Sequence, residues 1–200
     1  MPFVLIVHPS LGVDSVTALL ELARRNPGEL GYASGGMGAP HHIYMELLMH
    51  MTGIDMKNVP YRGGGPALVD VAAGHVKVMF ADAAQALALI RDGRVRALGV
   101  TTAKRLETMP EVPTLQEAGV AGYEANSWQC VVGPAGLSAA AVGKLNAALV
   151  DIMATPETRD HFLKLGWQPA TSTPPELGAY IRTEVERWTK LLRTVGASVE

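Results

Sequence analysis

The chain has 200 residues, 48% of them hydrophobic, with 17 basic and 19 acidic side chains for a net charge of −2. A chain of this length buries roughly 70% of its unfolded surface, enough for one ample core or two small lobes, and its charge balance, without any basic run, removes the electrostatic footprint of nucleic-acid binding. No apolar stretch approaches the ~20 residues that span a bilayer, and Cys130, the single cysteine, allows neither an internal disulfide nor a thiol-based metal site.

Met1–Pro9 has no basic n-region and no small-residue cleavage site, so no signal peptide is expected, and Val4–Val7 reads as a buried strand. A helix follows from Ser15, with Val16, Leu19, Leu20 and Ala23 on one face and Asn26-Pro27-Gly28 as its stop. A short strand at Leu30–Ala33 then runs into Ser34-Gly35-Gly36-Met37-Gly38-Ala39-Pro40-His41-His42, a glycine-rich turn opening a helix from about Pro40 to Thr52. Such a turn aims unpaired N–H groups and the positive end of a helix dipole at one point, a ready seat for a carboxylate or phosphate. The bland alternative is a tight strand-to-helix connection in which glycine supplies positive φ.

Val59-Pro60-Tyr61 leads to a second glycine turn, Arg62-Gly63-Gly64-Gly65, with Pro66 at the first helical position and Gly74 ending the helix. Val76–Phe80 is predicted as a strand, Ala83–Asp92 as a helix and Val95–Thr101 as a strand. This alternation predicts an α/β lobe whose helices cover a mainly parallel sheet. Beyond residue 101 a proline-bearing connection, Met109–Pro113, leads to an apolar strand at Trp128–Val132 and then three helices. The first starts near Ser138 and is expected to bury Leu145, Leu149 and Ile152; the second runs from Thr155-Pro156-Glu157 to Gly166. The third opens on the capping box Thr173-Pro174-Pro175-Glu176 and carries one apolar stripe: Leu177, Ile181, Val185, Trp188, Leu192 and Val195. Only Trp128–Val132 and Gln168–Ala170 offer strands for these helices to cover, so this part reads as half a lobe whose remaining sheet is missing or supplied by a partner chain.

Several residues carry two readings. His42, Glu46 and His50 lie on one helix face, but i and i+8 are about 12 Å apart at 1.5 Å rise per residue, so they cannot share one ion, and a hydrogen-bonded polar stripe is preferred. Tyr61 either packs against a ligand or belongs to the core. Arg62 is read as a solvated surface arginine in preference to a bidentate carboxylate partner. Asp82, at a third strand end, either accepts a hydrogen bond from a ligand or caps the next helix. Cys130, placed inside an apolar strand, is expected to be inert packing. No Gly-x-Ser-x-Gly elbow or Walker-type Gly-Lys-Ser/Thr is present, so no enzymatic constellation, cofactor or metal is expected.

An ordered set of short motifs carries a family resemblance. It comprises Val7-His8-Pro9-Ser10-Leu11, Tyr32-Ala33-Ser34 with Gly36, Gly38, His42 and Glu46, Val59-Pro60-Tyr61-Arg62-Gly63, and Pro66-Ala67-Leu68. Arg96-Ala97-Leu98, Val112-Pro113-Thr114 with Glu117-Ala118-Gly119, Ser127-Trp128 and Pro134-Ala135-Gly136 continue it. Together they resemble the Bug-type periplasmic solute-binding proteins of tripartite tricarboxylate transporters. The resemblance implies an α/β, periplasmic-binding-protein-like fold (type II, Venus-flytrap), with a nearly complete ligand-binding lobe over residues 1–122. Residues 123–200 would be the C-terminal part of the other lobe, lacking its N-terminal strands. It further implies a periplasmic protein, not an enzyme, that captures a small organic acid and delivers it to transporter membrane subunits. The implied ligand-binding residues are Ser34, Gly35, Gly36, Met37, Gly38, Ala39, His41, Tyr61 and Asp82. Relatives often carry small hydroxyl residues where this chain has Ala39, Pro40 and His41, and an Asp-Asn pair where it has Ala81-Asp82. The alternative is a shortened, weakly binding homologue that homodimerises through its incomplete lobe in a structural or assembly role.

Overall fold

Five consecutive apolar residues, Phe3–Val7, form strand β1, and every one of them is buried. A strand sealed on both faces reads as a continuous hydrophobic run rather than an alternating one. In the computed structural model, which describes residues 1–164 and 167–195, β1 lies inside a five-stranded sheet of order β3-β2-β4-β1-β5. The other strands are β2 (Gly31–Ser34), β3 (Lys57–Pro60), β4 (Val78–Asp82) and β5 (Arg96–Val100). The chain separates into two units, Met1–Ser127, which holds the sheet, and a helical unit beginning at Trp128.

The α/β alternation expected of the first unit is present, with one correction to the sheet. β2 runs parallel to both β3 and β4, but β1 runs antiparallel to both of its neighbours, β4 and β5. Burial patterning is the same for either direction when both faces are covered, which is why the reversal left no trace in the sequence.

Successive residues of β1 point to opposite faces. On one face Val4 and Ile6 join Ala33, Met79 and Ala81 in a core with α3 (Gly64–Ala73) and α4 (Ala83–Arg91). On the other, Phe3 meets the edge of Tyr44 from α2 (Pro40–Thr52) at 5.0 Å, and Phe80 stacks on Tyr123 at 6.0 Å. The Tyr123 hydroxyl donates to the Tyr44 carbonyl at 2.8 Å, so α2 is pinned to the sheet by three rings and a buried hydrogen bond. α1 (Val16–Arg25) forms as expected: Ser15 Oγ caps Ala18 N–H at 3.2 Å, and the four predicted apolar residues are buried. α3 starts two residues earlier than predicted, on Gly64, so Pro66 occupies its third position rather than its first.

The second unit forms its three helices, α5 (Ala139–Ala154), α6 (Pro156–Lys164) and α7 (Pro174–Val195). The Thr173–Glu176 capping box is made, with Thr173 N–H donating to Glu176 Oε2 at 2.8 Å. Neither Trp128–Val132 nor Gln168–Ala170 is a strand, correcting that expectation; Val131 and Val132 are 71% and 75% exposed. Extended apolar residues become a strand only when a neighbour takes up their N–H and C=O groups, and the five strands of the sheet all belong to the first unit. For the same reason Cys130 is exposed rather than packed. Leu145, Leu149 and Ile152, expected to be buried, are exposed on α5. The stripe of α7 is turned slightly from the predicted one: Glu184 and Leu191 are buried and Val185 is exposed. The predicted end of α6 at Gly166 and the side chain of Val195 lie outside the described residues.

Candidate functional site

β2, β3 and β4 are parallel, so the turns that leave their carboxyl ends open on one edge of the sheet. The chain leaves β2 towards β3 on one side and β4 towards β5 on the other, placing a topological switch point between β2 and β4. Open α/β sheets bind ligands beyond the carboxyl ends of the strands at such a point. The glycine turn follows β2, Tyr61 and the second glycine turn follow β3, and Asp82 ends β4. Because β1 is reversed, its first residue pairs with Asp82 and brings Phe3 to the same edge.

Within the glycine turn, Ser34 is fully buried and its Oγ accepts from Gly36 N–H at 3.3 Å. Gly36 and Gly38 adopt φ of 114° and 75°, a region that side chains with a Cβ rarely enter. Gly38 N–H donates to His42 Nδ1 at 3.2 Å, and His42 Nε2 lies 3.5 Å from Glu46 Oε1, which also accepts from Tyr32 at 3.2 Å. This fixes Nδ1 of the buried His42 as the acceptor and Nε2 as the N–H. Burial first, then the Glu46 charge, raises the pKa of Tyr32. The polar-stripe reading therefore describes His42 and Glu46, while His50 is exposed at the far end of α2. Ala39 N–H donates to Gly36 C=O at 3.2 Å. The N–H groups of Gly36, Gly38 and Ala39 thus hold the turn's own shape. Among the described residues those of Gly35, Met37 and His41 carry no hydrogen bond. Neither α2 nor α3 has a side-chain cap at its N-terminus, where the caps are Ala39 and Gly63. The free donors of both helices therefore face the same edge, with the dipole sign that favours an anion.

The two glycine turns touch. Tyr61 N–H donates to Ser34 C=O at 2.9 Å, and a Cβ on Gly35 would stand 3.1 Å from both Gly63 C and Gly64 N. Between them lies the ring of His41, whose Nδ1 is sealed from solvent without a partner. Phe3 meets it edge-on at 5.4 Å. Burial holds the His41 pKa below its ordinary value, with the Asp82 charge pulling the other way.

The remaining candidates divide. Tyr61 packs on the core shared by β1, β4 and α3, and its hydroxyl donates to Asp70 on α3. Burial and that bond push its pKa up to about 12. Hydrogen bonds from His75 and Tyr61 lower the pKa of Asp70. Arg62 is exposed. Asp82 is the last residue of β4 and caps α4, with Oδ1 accepting from Ala84 N–H at 3.0 Å and Gln85 N–H at 3.3 Å. Met37 is exposed at the tip of the turn, where its sulfur accepts from Asn58 Nδ2 at 3.2 Å. Among the described residues no group of three or more His, Cys, Asp or Glu side chains is placed to hold a metal ion. Sequence reasoning missed Phe3 as part of this edge, and no local signal could have found it, because its place follows from the direction of β1.

The family described as "Tripartite tricarboxylate transporter family receptor" matches residues 1–197. A UPF0065 protein from the tcbD-tcbE intergenic region of Pseudomonas sp. (strain P51) is 38% identical over 193 residues, covering 96% of this chain and 57% of that protein. Protein BugT of Bordetella pertussis is 31% identical over 200 residues, covering all of this chain and 61% of BugT. The chain therefore spans about 60% of the length of these relatives. Among solved structures, R. palustris Rpa4515 with adipate superposes with a TM-score of 0.88 at 34% identity, covering 98% of this chain and 66% of that one. MatC from Rhodopseudomonas palustris with bound malate gives 0.81 at 26% identity, covering 96% and 66%.

Proposed function

The chain belongs to the tripartite tricarboxylate transporter receptor family, and from that premise we propose that it captures a small organic acid in the periplasm for a transporter of this type. The carrying observation is the convergence, at one switch point, of two touching glycine turns and the uncapped N-termini of α2 and α3. An anion there meets N–H donors that need no reorganisation and the positive ends of two helix dipoles. Receptors of this family bind solutes and do not transform them, and the donors gathered at this edge support a binding role, since they can hold a charge. The ligand class follows from relatives solved with adipate and malate, both carboxylates. Residues 1–122 are read as the ligand-binding lobe and 123–200 as part of the other, and delivery to the membrane subunits of the transporter completes the proposal.

In this reading Gly35, Met37 and His41 contribute N–H groups directly. Ser34, Gly36, Gly38 and Ala39 shape the turn, Asp82 fixes α4 beside it, and Tyr61 holds the second turn in place. Within the first unit the ligand is gripped from one side, so binding is expected to be weak, with a Kd of about 1 mM, or −4 kcal/mol. Titration of mono- and dicarboxylates followed by backbone amide shifts checks this: the shifts should centre on residues 34–42 and 61–65. Submicromolar binding by a strict monomer overturns the one-sided site.

A second reading is favoured by one observation, the apolar exposure of the helical unit. Leu145 and Ile152 on α5 and Val185 on α7 are each more than half exposed, and Val131 and Val132 still more so. Surfaces of this kind seek partners, and self-association through them is the structural alternative. Sedimentation at micromolar concentration decides it, since a well-behaved monomer is incompatible with that role.

A further inference from the structure

The two ring nitrogens of His41 have unlike settings. The ring fills the space between the glycine turns so closely that a Cβ on Gly35 would fall 3.0 Å from Nδ1, and one on Gly64 2.5 Å from Nε2. Phe3 meets the ring edge-on at 5.4 Å. Nδ1 is sealed from solvent without a partner. Nε2 is not sealed, and it too makes no hydrogen bond among the described residues. It stands beside the first residue of α3, yet that helix has no side-chain cap, so Nε2 does not accept from its N–H groups. A sealed polar atom without a partner is a standing cost to the fold, and an apolar ring would fill the same space without it. The cost is least when Nδ1 is a bare acceptor, because buried N–H groups without an acceptor are the rarer case. The ring proton therefore belongs on Nε2, and burial favours the neutral imidazole against the opposing pull of the Asp82 charge.

We propose that the His41 side chain is a direct ligand contact, its neutral Nε2–H donating to the bound carboxylate beside the free N–H groups at the start of α3. The inference rests on the reading of this edge as the carboxylate seat, and it gives that seat a side-chain donor in addition to its backbone ones. It requires no particular orientation of the rest of the ligand, only an anion at the N-terminus of α3, which the helix dipole favours. Pro66 has no N–H, and the unpaired donors of that first turn include those of Gly64 and Gly65. A nitrogen that is used only when ligand is present accounts for a polar ring in a space that suits an apolar one. Losing a hydrogen bond to a charged group weakens binding about tenfold or more.

The test reads the ring directly. Nitrogen NMR spectra of the imidazoles are recorded on the full chain during titration with adipate, and with sodium chloride at equal ionic strength. The His41 signals are identified by their absence from H41Q. The proton should reside on Nε2, and adipate but not chloride should move the Nε2 resonance in step with the amides of residues 34–42 and 61–65. H41F keeps a ring in the notch and removes the donor, so it should bind adipate about tenfold more weakly with its urea midpoint unchanged or raised. H41Q, whose amide nitrogen has a reach similar to that of Nε2, should bind within about threefold of the unaltered chain. A ring that only props the turns apart would leave the affinity of H41F intact, and that result overturns the inference. So does a proton found on Nδ1, or an Nε2 signal that stays still while the amides of the seat move; in both cases the seat stands. These last two are read on the unaltered chain, which keeps the inference testable should H41F fail to fold. Amide shifts confined to other residues, or none at all, refute the seat and the inference with it.

Discussion

Gly35→Ala should destabilise the first unit by about 1–3 kcal/mol and weaken carboxylate binding about tenfold or more. The added methyl would stand 3.0 Å from His41 Nδ1 and 3.1 Å from Gly63 C and Gly64 N. A side chain can swing away, but the two backbone atoms can yield only if the glycine turns part. Parting them separates the free N–H of Gly35 from the first turn of α3, so stability and binding should fall together. Gly35 is not among the glycines with positive φ, so the effect is steric and owes nothing to backbone strain. Gly65→Ala is the control: it has open space around its Cα and also lacks positive φ, and it should leave stability unchanged or slightly raised. Urea unfolding measures the first quantity and amide-shift titration with adipate the second. A G35A chain as stable as the original would mean that the turns are not in contact in solution.

Phe80→Ala should cost about 3–5 kcal/mol, the largest loss expected from a single substitution here. Phe80 is fully buried in β4, stacked on Tyr123 at 6.0 Å and edge-on to Tyr44 at 6.4 Å. Removing its ring leaves a cavity under α2, and Tyr44 loses the surface on which it rests. Since α2 also carries His41, the proposed seat should loosen, and carboxylate binding should weaken in whatever fraction of the protein remains folded. A measured loss below about 1 kcal/mol would show that Tyr44 and Tyr123 collapse into the space.

Much of the first unit was legible because each element carried a local signal. Ser15 announced the start of α1, and its apolar residues at helical spacing were the ones buried. The glycine turn announced α2, and Gly53 and Gly74 ended α2 and α3 in the left-handed conformation expected of a C-terminal cap. The grouping of three strand ends into one edge also followed from the strand–helix alternation, although the same alternation misleads at β1, which α1 joins to β2 and which nonetheless runs against it. The reading of Asp82 as a cap could be weighed but not chosen from sequence, whereas Arg62, read as a surface side chain, is exposed. A cap depends on which atoms come within reach, and the sequence specifies types, not distances.

The second unit shows the opposite case. Its helices formed where capping and periodicity put them, yet Trp128–Val132 did not become a strand and Cys130 was not buried. A helix satisfies its own backbone, so its existence is a local matter. A strand does not, so its existence depends on residues elsewhere.

By itself, then, the sequence determined the α/β class, the helices and their caps, and the glycine turn as the candidate seat. Those features rest on short-range hydrogen bonding and side-chain spacing. Tertiary structure alone decided that β1 runs against its neighbours, bringing Phe3 under His41. It also decided that Ser34, Gly36 and Gly38 use their polar groups to hold the turn, and that His41 rather than open space fills the notch between the glycines. Strand direction and side-chain proximity are properties of pairs distant in the chain, and no local pattern encodes them.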